Sequence, residues 1–549
     1  MKSLLVLLIL VIPHIFYGQL VQLRGKLLDD STSTPVAYGT LRLENQAYGA
    51  VSNAEGEFEL SVPASLLNSR NHLRVSSIGY HNYRIPLSQL GTGEYLLIRL
   101  RQRPYTLEDV MIYSTDLTAA QLVAEAFKRI AQNYPDRPYL LRTFYRHYCR
   151  EGDTYGRLIE AAVDILDAKG HKRLRKKPAD KLQLKVRQLR RSFDFTDAGT
   201  GNRHLPIALY SSLQHDLVSY KSRLLRLTTD SRYTFAYTDT TYFDDQLVYV
   251  VECKGRNYEC ELYISAADLA FVKVDERRYT YLNTQGLKYW RKEHYSLNYK
   301  KYGNRYYLSH LTNEGENQSI RRDSLGREVD RSGHAHHVEI MTNEIVPGGF
   351  QKFKGREPGR EELLRVPYDA RFWEAYNVLK ATPLEAAIEA DLARRMPLEQ
   401  QFSNFNRQAS DPYYHDRLMA QLFDHLLEQQ VGKVTLVYFW DSSKLPSVRE
   451  VLLARKVAKH YSQAPIEVIL VSMEASEAEW QKTLGKNGLA GASNLRLALG
   501  GRSPLAQRYG IQGPPHYLIF DKQGKLAMNV AKLPSRKEVE AALDRLLDM

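Results

Sequence analysis

Cysteine is scarce. The 549 residues hold three, Cys149, Cys253 and Cys260, and none follows Cys260. No Cys-x-x-Cys occurs, and none of the three stands at zinc-ligand spacing. A module built from residues beyond 260 therefore has no thiolate of its own with which to attack a disulfide. Long hydrophobic runs are missing as well. The only one near helix length is Leu4 to Ile12, too short for a comfortable span and followed by Pro13. Acidic excess is absent: 76 Lys and Arg against 63 Asp and Glu leave a net charge of +13 and a pI near 9.3. Apolar residues at 43% and charged residues at 25% exclude wholesale disorder.

What is present begins with MKSLLVLLILVIPHIFYGQ: one Lys, an apolar run, then Gly18 before Gln19. This is the pattern of a secretory signal peptide over residues 1–18. No Cys follows the expected cleavage site, so lipid attachment is not expected there, and the mature chain is expected in the periplasm or cell envelope. In that oxidising setting Cys253 and Cys260, flanking the turn-like Lys254-Gly255-Arg256-Asn257, form a cross-hairpin disulfide if the register opposes them. The alternative is two reduced thiols on opposite faces of a sheet. The basic excess concentrates in residues 169–191, with eleven Lys and Arg against one Asp. For an exported chain, anionic lipid headgroups or cell-wall polymers are the expected partners rather than nucleic acid. A solvated basic loop and helix is the plainer alternative.

The length exceeds what one core serves, and three or four domains are expected. Tyrosine, at 37 copies against 17 phenylalanines, suits half-exposed antiparallel strands, where the ring packs and the hydroxyl stays wet. Residues 19–112 read as short strands between turn signals, a small β-sandwich. Asn53 and Gly56 suit a tight turn, Phe58 returns to a core, and Gly79 permits a bend before Tyr80. With Gly25, Pro35 and Ile78, these residues resemble the carboxypeptidase regulatory-like domain. That resemblance implies a transthyretin-like sandwich and no peptidase activity.

Residues 113–350 form a central, antiparallel β-rich α+β domain. Residues 117–133 have helical spacing with Thr118 as N-cap, and Pro135 stops the run. Residues 139–167 read as two long strands or a strand and a helix, and 230–345 as a meander of alternating strands. Asn133-Tyr134-Pro135 and Phe144-Tyr145-Arg146 resemble the opening of a central region found in exported proteins that also carry the sandwich, and the sheet resembles lipoprotein-carrier half-barrels. In RSGHAHHVEI, residues 331–340, a strand puts His334 and His336 on one face and His337 and Glu339 on the other. His334 and His336 are weak metal candidates that need ligands from neighbouring strands. Residues 351–404 read as a helical linker, with Phe372 and Trp373 as core anchors and Pro383 and Pro397 at helix starts.

From 405 to 549 the order becomes βαβ. KVTLVYFW and PIEVILVSM are buried strands, HYLIFDKQGKLAMNV a hairpin, and RKEVEAALDRLLD a closing helix. Tyr509-Gly510-Ile511-Gln512-Gly513-Pro514-Pro515 resembles a thioredoxin-like segment of the TlpA/ResA type, with Pro515 on the cis-proline position. Where such enzymes carry Cys-x-x-Cys, this chain has Lys444, Leu445, Pro446 and Ser447. An ammonium cannot replace the nucleophile. The resemblance thus implies a vacant groove bordered by Trp440, Pro446, Pro514 and Pro515, able to bind a peptide or protein by strand addition. No cofactor and no catalytic residue is expected. The competing readings are an oxidoreductase-family protein using cysteines from elsewhere and a carbohydrate or cell-wall binder.

Overall fold

The computed structural model describes residues 20–548 apart from several segments, chiefly 104–115, 171–181, 193–208, 220–223, 404–411, 442–450, 452–459, 487–492 and 531–535. The signal-peptide region lies outside the described residues. No helix among those described is long and apolar enough to cross a membrane.

Seven strands build the first unit: β1 (Leu20–Asp29), β2 (Thr40–Leu43), β3 (Gly49–Val51), β4 (Glu57–Pro63), β5 (His72–Ser76), β6 (Tyr83–Pro86) and β7 (Tyr95–Leu100). They form two sheets, in orders β4-β1-β7 and β3-β2-β5-β6. The inward residues of both, among them Leu23, Leu27, Leu41, Phe58, Leu60 and Val75, make one core. The Asn53–Gly56 turn holds as its residue types demand. The Asn53 carboxamide oxygen accepts from the amides of Glu55 and Glu57 at 3.0 and 2.8 Å, and Gly56 takes a φ of +75° that other residues resist.

The central sheet has ten strands: β8 (Tyr139–Glu151), β9 (Thr154–Asp167), β10 (Leu182–Arg191), β11 (Thr234–Phe243), β12 (Gln246–Gly255), β13 (Tyr258–Ser265), β14 (Phe271–Asn283), β15 (Leu287–Tyr302), β16 (Arg305–Arg322) and β17 (Glu328–Val346). Residues 139–167 are therefore a strand hairpin and not a strand and helix. The order is β10-β9-β8-β17-β16-β15-β14-β13-β12-β11, antiparallel throughout, and the sheet does not close into a barrel. The meander thus runs back until its last strand pairs with the first of the sheet. That pairing sets Tyr148 opposite His337 and Arg146 opposite Glu339. One face packs its apolar residues against the helix Ala119–Asn133, through Leu122, Val123, Phe127 and Ile130. That helix starts with a capping box, in which Thr118 Oγ1 accepts from the Gln121 amide and Gln121 Oε1 accepts from the Thr118 amide.

Leu363 packs with the helix-side cluster, whereas the opposite face carries the buried Arg146, Glu160 and Glu339 and receives both the sandwich and residues 368–402. The latter segment is more than a linker. Trp373 and Leu379 bury against Phe144, Met341 and Val51, and Ile388 and Leu392 against Leu158. The basic stretch is likewise reinterpreted in its second half. Residues 182–191 are edge strand β10, with Leu182, Leu184 and Leu189 buried by alternation, while residues 171–181 lie outside the described part.

The last sheet contains β18 (Val434–Trp440), β19 (Ile466–Ser472), β20 (Ser493–Arg496), β21 (His516–Phe520) and β22 (Leu526–Val530), in order β20-β19-β18-β21-β22. β18 pairs parallel with β19 and antiparallel with β21. Every residue of β18 is buried because the strand is central and both faces are covered.

Candidate functional site

The C-terminal groove is described only in part. Lys444, Leu445, Pro446 and Ser447 lie outside the described residues. The Pro514–Pro515 peptide bond is cis, and both prolines are half-buried ahead of β21. Trp440 departs from the expectation. It is fully buried, packed with Leu436, Tyr438, Tyr517 and Ile519, and no part of it is exposed at the surface of the described residues. Strand alternation explains this: Leu436, Tyr438 and Trp440 share the face that packs under the closing helix Arg536–Asp548, whose Val539 and Leu543 belong to the same cluster.

The cysteines of the central sheet are also corrected. Cys253 lies directly opposite Cys260 in the β12/β13 ladder, yet neither forms a disulfide, and both are buried on one face. The hairpin closes on Gly255 and Tyr258 across a two-residue turn. Counting back from that hydrogen-bonded pair, Cys253 and Cys260 fall in another such pair. There opposed Cα atoms stand about 5.5 Å apart, within the range a disulfide spans, so backbone distance does not account for the missing bridge. Burial pushes the Cys260 thiol well up, which makes it inert as a thiolate.

The described residues with the densest polar chemistry lie on the charged face of the central sheet. His294 on β15 sits 3.1 Å from the Asp275 carboxylate of β14 and 3.4 Å from Glu314 of β16. Glu314 reaches on to His337 of β17 at 3.0 Å, and the Tyr148 ring of β8 stacks on His337 at 4.9 Å between centroids. One row of side chains thus crosses five strands. A second row lies beside it. His310 contacts Glu339 at 2.6 Å and stacks on Tyr38 of the sandwich. Arg146 binds Glu160 at 2.8 Å and Glu385 at 3.0 Å, and Arg190 also binds Glu160. A cavity of about 600 Å³ opens over the first row, lined by Tyr148, Arg150, Arg277, Lys292, His294, Glu314, His337 and Leu384, among others.

The electrostatics follow from these partners. Hydrogen bonds to Asp275 and Glu314 raise His294 to about 9. Burial pushes His337 down, but the carboxylates of Glu314 and Glu339 outweigh it and carry the imidazole up to about 10. Glu314 in turn is held well below the usual carboxylate range by His294 and His337. Along the row the carboxylates of Asp275 and Glu314 are paired with imidazoles, and Arg150, Arg277 and Lys292 line the same cavity, so charges of both signs face it.

His334 and His336 do share a face, with ring centroids 5.9 Å apart, but it is the other one. No carboxylate or further imidazole joins them in a metal-compatible group among the described residues; that group is His337, Glu339 and Glu385. His336 instead lies over Gly315, where no Cβ would fit, and burial drives it down to about 3. The weak metal candidates of the sequence are thereby displaced by one residue. His337 and Glu339 were legible as a same-face pair. Glu314, His310, Arg146 and Glu385 were not, because each joins the pair through strand pairing or through a helix some 50 residues downstream.

Comparison with known proteins follows the two ends of the chain. A model of the CarboxypepD_reg-like domain matches residues 23–112, and a thioredoxin-like model matches residues 432–526. The chain carries both domains. Solved structures resembling it include a putative thiol:disulfide interchange protein DsbE from Chlorobium tepidum, at 20% identity over 22% of this chain and 84% of that one, with a TM-score of 0.20. The thioredoxin domain of a thiol-disulfide oxidoreductase from Bacteroides vulgatus matches with the same four values. A thiol-disulfide oxidoreductase from Bacteroides fragilis matches at 19% identity, over 21% of this chain and 82% of that one, with a TM-score of 0.19. No curated protein matches the chain.

Proposed function

We propose that this chain is an exported cell-envelope protein whose thioredoxin-like domain binds a peptide or protein partner without thiol chemistry. One observation carries the reading: residues 432–526 match a thioredoxin-like model and contain no cysteine. Lys444 and Ser447 stand where the fold's redox members place sulfur, and neither can exchange with a disulfide. Sulfur supplied from elsewhere in the chain is disfavoured by burial, since Cys149, Cys253 and Cys260 are all shielded from solvent. Export rests on the signal-peptide pattern of residues 1–18, and sequencing the mature protein should give Gln19 as its first residue. The basic residues of the 169–191 stretch are the proposed contact to anionic lipid or cell-wall polymer. Arg190 spends its charge internally on Glu160, so that contact falls mainly to the Lys and Arg before β10.

Insulin-disulfide reduction by the full-length protein, with a dithiol donor, tests the central point. The expected rate equals the donor's background. Turnover above background that survives alkylation of the denatured and refolded protein's thiols would leave the reading intact only as contamination, so the assay is run with a triple Cys→Ser variant. Activity of the wild type that this variant loses overturns the proposal.

A further inference from the structure

Three side chains from two elements converge on one point at the floor of the charged face. His337 and Glu339 stand two apart on β17 and so share a face, and Glu385 comes down onto them from the first turn of the helix Pro383–Ala393. One donor atom from each lies within 4.8 Å of the other two. His337 Nε2 and Glu339 Oε2 are 3.6 Å apart, too far for a hydrogen bond. Two ligand atoms each about 2.1 Å from a tetrahedral ion stand roughly 3.4 Å apart, which is the spacing found here. His337 is nine-tenths buried, and its Nε2 has no hydrogen-bond partner.

Each of the three is also held from behind. Glu314 Oε1 accepts at His337 Nδ1, 3.0 Å away, which leaves Nε2 facing the cluster. His310 takes Glu339 Oε1 at 2.6 Å and leaves Oε2 toward His337. Glu385 Oε2 accepts from the Thr382 amide at 2.8 Å and lies 3.0 Å from Arg146 Nη1. Outer partners of this kind fix ring tautomer and carboxylate orientation at metal centres. The carboxylates of Glu160, Glu314, Glu339 and Glu385 face the guanidiniums of Arg146 and Arg190 and the imidazoles of His294, His310 and His337, so charges nearly balance; the ion takes the place of the proton on His337, which leaves to solvent as the metal binds.

We propose that His337, Glu339 and Glu385 bind one divalent transition-metal cation of the zinc class. One imidazole with two carboxylates suits Zn²⁺, Co²⁺ or Mn²⁺ better than Mg²⁺ or Ca²⁺, which prefer oxygen alone. The bound ion ties the 383–393 helix to the sheet, and the adjoining cavity gives water or a small ligand a way to an open coordination position. Neither consequence depends on the C-terminal domain.

The test uses full-length protein stripped with chelator and titrated with Co²⁺, followed by calorimetry and visible absorption. The expected result is one ion per chain, a visible d–d band, and a raised unfolding temperature. Glu339→Gln and Glu385→Gln each abolish the one-to-one binding. Glu314→Gln, which only orients His337, weakens it roughly ten- to a hundredfold. Glu479→Gln, on an exposed helix of the last domain, changes nothing. Should the carboxylate variants fail to fold, wild-type protein decides: Zn²⁺ should move the nitrogen resonance of His337 Nε2 and leave His336 unmoved. The proposal is overturned by absence of one-to-one binding in the wild type, by unchanged binding in both carboxylate variants, or by a His337 resonance that ignores Zn²⁺.

Discussion

His294 shows how one side chain's behaviour depends on strands it is not part of. Its partners, Asp275 and Glu314, sit on the two neighbouring strands and raise it to about 9 from an ordinary value near 6.5. The folded state therefore holds this proton more tightly than the unfolded chain does. The stabilisation is fully present below pH 6.5 and is lost as pH rises through 9. Unfolding free energy should fall across that window, and His294→Gln should flatten that part of the fall. An NMR titration giving His294 an ordinary pKa would contradict the row of contacts described above. At the same scale, His336 and His337 are adjacent in sequence and opposite in character. One is buried against Gly315 and pushed down by that burial, the other is ringed by carboxylates that push it up. Strand alternation made their separation legible. Which face would collect the carboxylates was not, because the β16 and β14 partners are fixed by register.

Among the elements, β1 is the strand whose sequence and packing agree most closely. Gly25 faces β7 so tightly that a Cβ would stand 2.1 Å from the Leu96 carbonyl oxygen and 2.7 Å from the Phe58 ring. A carbonyl in a ladder cannot retreat without parting the strands, so Gly25→Ala should destabilise the sandwich by about 1–3 kcal/mol. Gly348→Ala, where no atom lies within 4 Å and φ is not positive, is the neutral control for urea unfolding. Equal midpoints for the two variants would show that the β1–β7 contact yields easily. The hairpin of β12 and β13 teaches the converse. Two cysteines flanking a turn look like a disulfide in sequence, and the register does oppose them, yet both are buried and unbridged; opposition in the ladder does not by itself make the bond.

For the whole molecule, the segment between the central sheet and the last domain acts as a clasp. Asn377 is its middle: the side-chain oxygen accepts from the Ser61 amide of β4 at 2.6 Å, and the backbone carbonyl accepts from the Asn343 carboxamide of β17 at 2.8 Å. Nearby, the Asn53 carboxamide donates to the Lys380 carbonyl at 3.2 Å. Asn377→Ala leaves the buried Ser61 amide without its acceptor and should cost about 1–3 kcal/mol. Faster hydrogen exchange at Ser61, with exchange in β18 unchanged, is the expected signature. An unaltered Ser61 amide would mean that the sandwich is held to the sheet by other contacts. Helical periodicity foretold the 383–393 helix and its Pro383 start. It gave no sign that this helix would deliver Glu385 to the sheet, since a surface glutamate and a buried ligand have the same letter.

Local physics settled much of this protein before any tertiary contact formed. Alternation specified the strands, Asn53 and Gly56 the turn, Thr118 and Gln121 the helix start, and the lack of cysteine after residue 260 the absence of any thiol in the thioredoxin-like domain. These are properties of a residue and its near neighbours along the chain. The pairing of β17 with β8, the burial of Trp440, and the meeting of His337 and Glu339 with Glu385 were decided only by the folded whole. Each depends on segments far apart in sequence being brought together by burial of apolar faces, which fixes the sheet order and hence which charges must share one side of it.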